Sequence, residues 1–272
     1  MDWFVEPAKN TALALLPVAA AFMLLALVVK RARIGEALHR ARRESVTNFG
    51  IWLTNYIILV PLFLLPVIAL EEAMPRIAGL AAVWESLPLA VPIVVAMLVI
   101  DFSAYWRHRL EHDPALWRIH ATHHADEATT WFSVVRKHPL SRLLSMLMDS
   151  VLALLIGLPV EAIVAANVIR TWWGHFIHAD VPWTLGPLGA VLISPAAHRL
   201  HHIRDERLMG YNYANTFTFW DKMFGTYCDP APHLNCETGI AEGTRGFWGE
   251  MKRPWEARYR KRDADKIPAR AG

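Results

Sequence analysis

HRLEHDPALWRIHATHH, His108 to His124, gathers five of the chain's thirteen histidines into seventeen residues. HRLHH, His198 to His202, repeats its closing pattern. His108 and His112 are four apart, so on a helix their imidazoles share one face, about 5–6 Å apart at Cβ. Pro114 then breaks that helix. In the HATHH that follows, His120 pairs with His123 and His124 at three and four residues. Adjacent positions on a helix point about 100° apart, so His123 and His124 can serve two different metal ions. His198, His201 and His202 repeat that geometry, and HFIH adds His175 and His178 at i, i+3.

Around these clusters the chain is apolar. Of 272 residues 54% are hydrophobic and 19% charged, below the roughly 25% charged of soluble domains. The net charge is +3, and the basic residues fall in blocks between apolar runs. That is the pattern of a membrane topology rather than of a nucleic-acid-binding stripe. Thr11 to Val29 is nineteen residues without a charge, about 28 Å as a helix, enough to span a bilayer core. The basic stretch KRARIGEALHRARR, Lys30 to Arg43, follows it and predicts a cytoplasmic connection with the N-terminus outside. Val46 to Leu70 reads as a second span, with Pro61 and Pro66 tolerable in a membrane helix. Pro88 to Ile100, continuing through DFSAYW, reads as a third and ends where the first histidine cluster begins. Leu143 to Leu158 and Val160 to about Thr171 read as a helical hairpin turning at Gly157 to Pro159. The hairpin brings the second cluster to the same, cytoplasmic face, with Trp172 and Trp173 at the interface. From Lys252 onward the chain is basic and suits anionic headgroups. The first apolar run is too long, and its flank too basic, for a cleavable signal peptide. Cys228 and Cys236 form no CxxC motif and read as ordinary thiols.

The expectation is an all-α, polytopic membrane bundle with a cytoplasm-facing, histidine-rich helical cap. It divides into membrane helices over 1–100, a metal-binding region over 101–229 that includes the hairpin, and a basic cytoplasmic tail over 230–272. Ten histidines stand at ligand-like spacing: His108, His112, His120, His123, His124, His175, His178, His198, His201 and His202. They are too many for one tetrahedral zinc and suit two ions with about five nitrogens each. Imidazole alone does not select the metal. His39 and His233 stand apart from the clusters and read as ordinary polar residues.

Other readings of the same residues stay open. HRLEH fits the inverted HxxEH pattern of a zinc hydrolase, with Glu111 as general base. That reading leaves HATHH and HRLHH without a purpose. A metal transporter or storage protein is a second alternative, although transport sites lie near the bilayer midplane and these histidines follow the spans. A carboxylate di-iron bundle needs paired Glu-x-x-His motifs, and only Glu36–His39 has that spacing.

HRLEH, HATHH and HRLHH resemble the three ordered histidine boxes of the fatty acid hydroxylase/sterol desaturase superfamily. RKHP, Arg136 to Pro139, is similar to the segment after the second box. HADVPWTLGPLGAVLISPAAHRLHH, His178 to His202, resembles the approach to the third, and YNYANTFTFWDKMFGTY, Tyr211 to Tyr227, the segment after it. Ala214 stands where the family often has glycine. The resemblance covers about His108 to Tyr227. It implies an integral-membrane di-iron monooxygenase of lipid biosynthesis, in which the histidines hold two iron ions. O₂-dependent oxidation would give a hydroxyl group or a double bond in a lipid such as an acyl chain or sterol-like ring. Metal-bound imidazoles need partners at Nδ1; Asn212, Asn215 and Asp221 read as such partners or as turn residues capping local backbone, and His138 as such a partner, a ligand or a headgroup contact. The resemblance further implies an external electron donor of ferredoxin or cytochrome type, and, in a bacterium, the inner membrane. The basic segments Lys30–Arg43 and Lys252–Arg262 would suit an acidic donor. The sequence indicates no nucleic-acid partner and does not fix the oligomeric state.

Overall fold

The computed structural model describes residues 2–77 and 79–260, and within these it is all-helical. The helices are α1 (Asp2–Lys30), α2 (Ile34–Thr54), α3 (Val60–Ala73), α4 (Leu80–Glu85), α5 (Ala90–Glu111), α6 (Pro114–His124), α7 (Pro139–Met148), α8 (Val151–Leu155), α9 (Val160–Ile177), α10 (Pro195–His201), α11 (Phe219–Met223), α12 (Gly246–Lys252) and α13 (Ala257–Arg260). No strand forms among the described residues. Two isolated bridges, Leu192–Phe217 and Ile203–Thr238, tie loops around the third histidine box.

Among the described residues, Leu15–Leu59 and Ala90–Glu111 are the two stretches long and apolar enough to cross a membrane. The first contains a turn. Arg31 takes a left-handed φ of 50°, and α1 folds back along α2 and the π-helical turn Asn55–Leu59. The basic stretch expected as a connection is therefore mostly the first turns of α2. Pro61 has no N–H for a continuing α-helical ladder, and the helix widens by one residue just before it. Leu16, Leu24, Val28 and Leu65 stand exposed on this hairpin, an apolar surface that suits lipid.

The expected helical hairpin differs in its first arm. Two short helices, α7 and α8, replace one long helix. The break falls at Asp149, whose carboxylate accepts from Arg107 of α5 at 2.6 and 3.2 Å. Gly157, with φ 71°, makes the expected turn into α9.

α5 and α9 form the central pair that carries the cap. Ala96, Ile100, Ala153, Ala166 and Leu158 make the core around it. Inside this pair Asp101 accepts from the Thr216 and Phe217 amides at 3.1 and 3.0 Å. Arg170 of α9 lies 3.3 Å from the same carboxylate. One buried acid thus locks α5, α9 and the loop after the third box together.

The segment read as a basic tail is built into the cap as far as Arg260. Arg253 and Glu250 are fully buried and paired at 2.6 Å. Glu250 also meets Arg136 of RKHP at 3.2 Å, and Phe247 lies over Gly50 of α2. A buried guanidinium needs such partners, so Arg253 cannot face headgroups. Residues 261–272, the rest of that tail, lie outside the described residues.

Candidate metal centre

Four helix ends converge below the α5–α9 pair. His108 sits in the last turn of α5 and His112 caps its C-terminus. Asp113 then caps α6, accepting from the Ala115 amide at 3.0 Å, with Pro114 at the first helical position. That chemistry restarts the chain as a short helix and delivers His120, His123 and His124 at the far end of α6. His178 caps α9. Ser194 and Pro195 start α10 in the same manner as Asp113 and Pro114 start α6, placing His198, His201 and His202.

Nine of the ten predicted histidines fall into two groups. His108, His112, His120, His124 and His201 bring one ligand atom each within 4.8 Å of one another, and so do His123, His178, His198 and His202. The adjacent pairs His123–His124 and His201–His202 are split between the groups, as their angular separation predicts. The groups touch: the His124 and His202 rings stack with centroids 4.4 Å apart. The four-histidine group is buried throughout, whereas His108 and His112 of the larger group are half-buried.

His175 is the exception and joins neither group. Three residues before His178, it points about 60° away around the helix. Its Nδ1 donates to the Trp131 carbonyl at 2.9 Å, and its ring packs beside the stacked pair Trp131 and Phe22. His175 is a packing residue in this geometry. His39 is exposed and His233 half-buried, both away from the groups.

The protonation pattern decides what the groups can hold. His108 Nδ1 donates to the Tyr213 carbonyl at 2.7 Å, and His201 Nδ1 donates to the Tyr211 carbonyl at 2.8 Å. Each neutral ring then carries a bare lone pair at Nε2. Yet those two Nε2 atoms face each other at 2.9 Å. Facing lone pairs repel, and burial holds the His201 pKa down to about 4, so a shared proton does not resolve the contact at neutral pH. A cation does. Other Nε2 pairs repeat the spacing: His108–His120 at 3.1 Å, His112–His124 at 3.1 Å, His178–His198 at 3.0 Å, His198–His202 at 3.2 Å and His123–His178 at 3.4 Å. Metal–nitrogen bonds of about 2.0–2.1 Å place neighbouring ligands about 2.9–3.4 Å apart. Burial likewise keeps His123, His124, His198 and His202 well below the usual imidazole range, hence neutral and able to ligate. The donor set fits two metal ions.

The residues expected to orient these rings act less directly. Asn212, Asn215, Asp221 and His138 make no hydrogen bond to a ligand imidazole; backbone carbonyls do that work at His108, His178 and His201. Asp221 accepts from the amides of Tyr213 and Ala214 at 2.8 and 3.0 Å and from the Thr226 hydroxyl at 2.7 Å. It thereby fixes the peptide whose carbonyl holds His108. Burial nonetheless pushes its pKa up to about 7. Asn212 has a left-handed φ of 55°, a conformation asparagine tolerates, and this turn presents both the Tyr211 and Tyr213 carbonyls. Its side chain bonds the Ala197 and Cys228 backbone. Asn215 bonds the Arg170 carbonyl at 3.3 Å. His138 caps α7 and reaches the Met251 carbonyl at 3.2 Å.

Outer partners of ligands are worth about 10–100-fold in metal affinity. Asp221→Asn replaces an acceptor with an NH₂ group facing a donor, so it is expected to weaken metal retention about tenfold or more. Chelator competition on the purified protein checks this; retention equal to wild type would count against the role.

Glu111 was read only as a hydrolase base. It is fully buried, accepts from Arg107 and from Ser141, and lies 3.5 Å from His120 Nδ1. It therefore stands behind the ring, on the side away from the Nε2 atoms, where no metal-activated water could reach it. The hydrolase reading loses its base. The only sequence signal for this positioning role was the i, i+4 spacing of Arg107 and Glu111.

Comparison with known proteins agrees with this architecture. Residues 93–226 match the fatty acid hydroxylase family. Ornithine lipid hydroxylase OlsE of Rhizobium tropici is 26% identical over 206 residues, 75% of this chain and 62% of that protein. Human alkylglycerol monooxygenase is 37% identical over 134 residues, 48% of this chain and 29% of the enzyme. Delta(7)-sterol 5(6)-desaturase erg3B of Aspergillus fumigatus is 32% identical over 147 residues, 54% and 41% of the two chains. The matches span less than two thirds of each of these relatives. No solved structure matches. An all-helical membrane protein with a buried, paired histidine centre is the class defined here. Just under half of the chain, residues 93–226, thus resembles the fatty acid hydroxylase family, and the relatives named here are lipid hydroxylases, monooxygenases and desaturases.

Proposed function

We propose that this chain is a multi-pass membrane monooxygenase that hydroxylates a C–H bond of a lipid at two iron ions facing the cytoplasm. The observation that carries the two-metal reading is the gathering of nine histidines into two separate groups, five in one and four in the other, each with its ligand atoms within 4.8 Å of one another. One ion would be held by His108, His112, His120, His124 and His201, the other by His123, His178, His198 and His202. When bound, redox-active iron supplies the chemistry that splits O₂ and oxidises an unactivated C–H bond. One oxygen atom ends in the lipid and the other in water, with two electrons and two protons delivered from outside.

The chain's own residues hold, orient and shield. Tyr211 and Tyr213 carbonyls keep their histidines in the Nδ1–H tautomer, and Asp221 and Asn212 keep those carbonyls in place. Tyr213 and Trp117 wall the larger group, each with its ring about 5 Å from His112. The half-burial of His108 and His112 makes that side the natural approach for a ferredoxin- or cytochrome-type donor. The apolar hairpin lets an acyl or ring substrate reach the centre without crossing water. Hydroxylation is preferred over desaturation because ornithine lipid hydroxylase and alkylglycerol monooxygenase are among the relatives, although a sterol desaturase is too.

Membrane lipids of cells expressing the intact chain, compared by mass spectrometry with cells expressing its Asp221→Asn and His123→Ala variants, test the reading. A lipid gaining one oxygen is expected with the intact chain, less with Asp221→Asn and not with His123→Ala. Loss of two hydrogens instead would overturn hydroxylation in favour of desaturation. Metal accumulation without any lipid change would favour transport or storage.

A further inference from the structure

A cavity of about 710 Å³ lies between the α1–α2 hairpin and the cap, on the side of the four-histidine group. Ala179 and Val181 line it just beyond His178, and Arg199 lines it just beyond His198. Its size is that of a small-molecule site. At its polar end three cations converge on one carboxylate. Lys30 Nζ lies 2.7 Å from Asp180 Oδ2, Arg40 3.3 Å from the same oxygen, and Arg199 3.0 Å from Asp180 Oδ1. One carboxylate cannot neutralise three cations, so this end carries surplus positive charge. The other acids in the lining have their own partners: Glu44 pairs with buried Arg136, and Glu127 and Glu237 share Arg204 at 2.7 and 3.6 Å, leaving Lys30, Arg40 and Arg199 to Asp180 with Arg43 beside them.

The other end is apolar. Phe22 and Leu25 of α1 line both this cavity and a second groove of about 480 Å³ between α1 and α9. Val168, Ile169 and Trp172 form the α9 wall of that groove. A hydrocarbon slot adjoining a cationic chamber matches an amphiphile with an anionic head.

We propose that this pair of cavities binds an acyl lipid with an anionic headgroup, the head at Lys30, Arg40 and Arg199 and a chain in the α1–α9 groove. The proposal rests on the lipid-oxidation reading, and it names the substrate class for that site. Neutral lipids gain nothing from the cationic end, and a free phosphate gains nothing from the apolar one. The head is thereby held beside the four-histidine group, and Asp180 competes with it for the same three cations.

The test is lipid binding by the full-length protein in nonionic detergent, read by native mass spectrometry. The probes are dioleoyl phosphatidylglycerol, dioleoylglycerol and glycerol 3-phosphate. Phosphatidylglycerol is expected to bind about tenfold or more tightly than dioleoylglycerol, since each cation near a lipid anion contributes appreciably. The double variant Lys30→Gln/Arg40→Gln is expected to lose that preference while binding dioleoylglycerol as before. Arg33→Gln/Arg42→Gln, exposed charges outside the cavity, is expected to keep it. Asp180→Asn is expected to tighten phosphatidylglycerol binding, whereas a merely structural ion pair would loosen both lipids. Equal binding of the two lipids, a preference indifferent to Lys30 and Arg40, or glycerol 3-phosphate binding as tightly as the lipid would each overturn the proposal. Binding needs no turnover. A lost preference with lipid oxidation intact sinks only the headgroup site, and a preserved preference with no lipid oxidised sinks only the catalytic reading.

Discussion

His123→Ala and His201→Ala are each expected to lower bound metal from about two ions per chain to about one, and to cut lipid oxidation by about 100-fold or more. The two histidines belong to different groups, so each variant should empty a different site and spare the other. Losing one of four or five nitrogens also leaves neighbouring rings buried without a partner. His175→Ala is the informative contrast. Its ring packs against Trp131 and Phe22 and joins neither group, so both ions should stay. Elemental analysis of the three purified variants checks the set. Wild-type metal content in His123→Ala, or loss of an ion in His175→Ala, would redraw the ligand assignment.

Arg136→Met is expected to destabilise the cap by about 3–5 kcal/mol, the penalty for leaving a buried charge without its partner. Arg136 is fully buried. Its guanidinium donates to Glu44, to Asn48 at 3.1 Å, to the Thr122 carbonyl at 2.8 Å, to Thr244 at 3.0 Å and to Glu250 at 3.2 Å. One side chain therefore joins α2, the helix carrying HATHH, and the C-terminal segment. Removing it strands Glu44, while Glu250 keeps Arg253. The double variant Glu44→Gln/Arg136→Met should recover part of the loss, because both charges go together. Thermal unfolding in detergent measures it. A melting temperature unchanged in Arg136→Met would show that the hub carries no stability.

The histidine boxes were legible because their chemistry is local. Asp113–Pro114 and Ser194–Pro195 are helix starts that can be read from the chain, and the i, i+3 and i, i+4 spacings then set which rings share a face. The same rule taken alone placed His175 with His178; the structure turns the His175 ring instead toward Trp131 and Phe22, partners distant in sequence, outside both groups. The supports of the rings were not legible for a related reason. Backbone carbonyls of Tyr211, Tyr213 and Gly174 carry no residue signature, so Asn212 and Asp221 could be singled out but not given their indirect part. The pairing at the break between α7 and α8 joins Arg107 to Asp149 across 42 positions, a separation no local pattern shows. Composition likewise made Arg253 a surface charge, whereas Glu250 draws it into the cap.

The central claim is that nine neutral imidazoles hold two neighbouring iron ions. Metal stoichiometry of the intact protein, purified without a metal-affinity tag and read by elemental mass spectrometry, tests it most directly. The account predicts about two irons per chain, falling to about one in His123→Ala. A single ion per chain, or two of zinc or copper in a preparation that oxidises lipid, would contradict it.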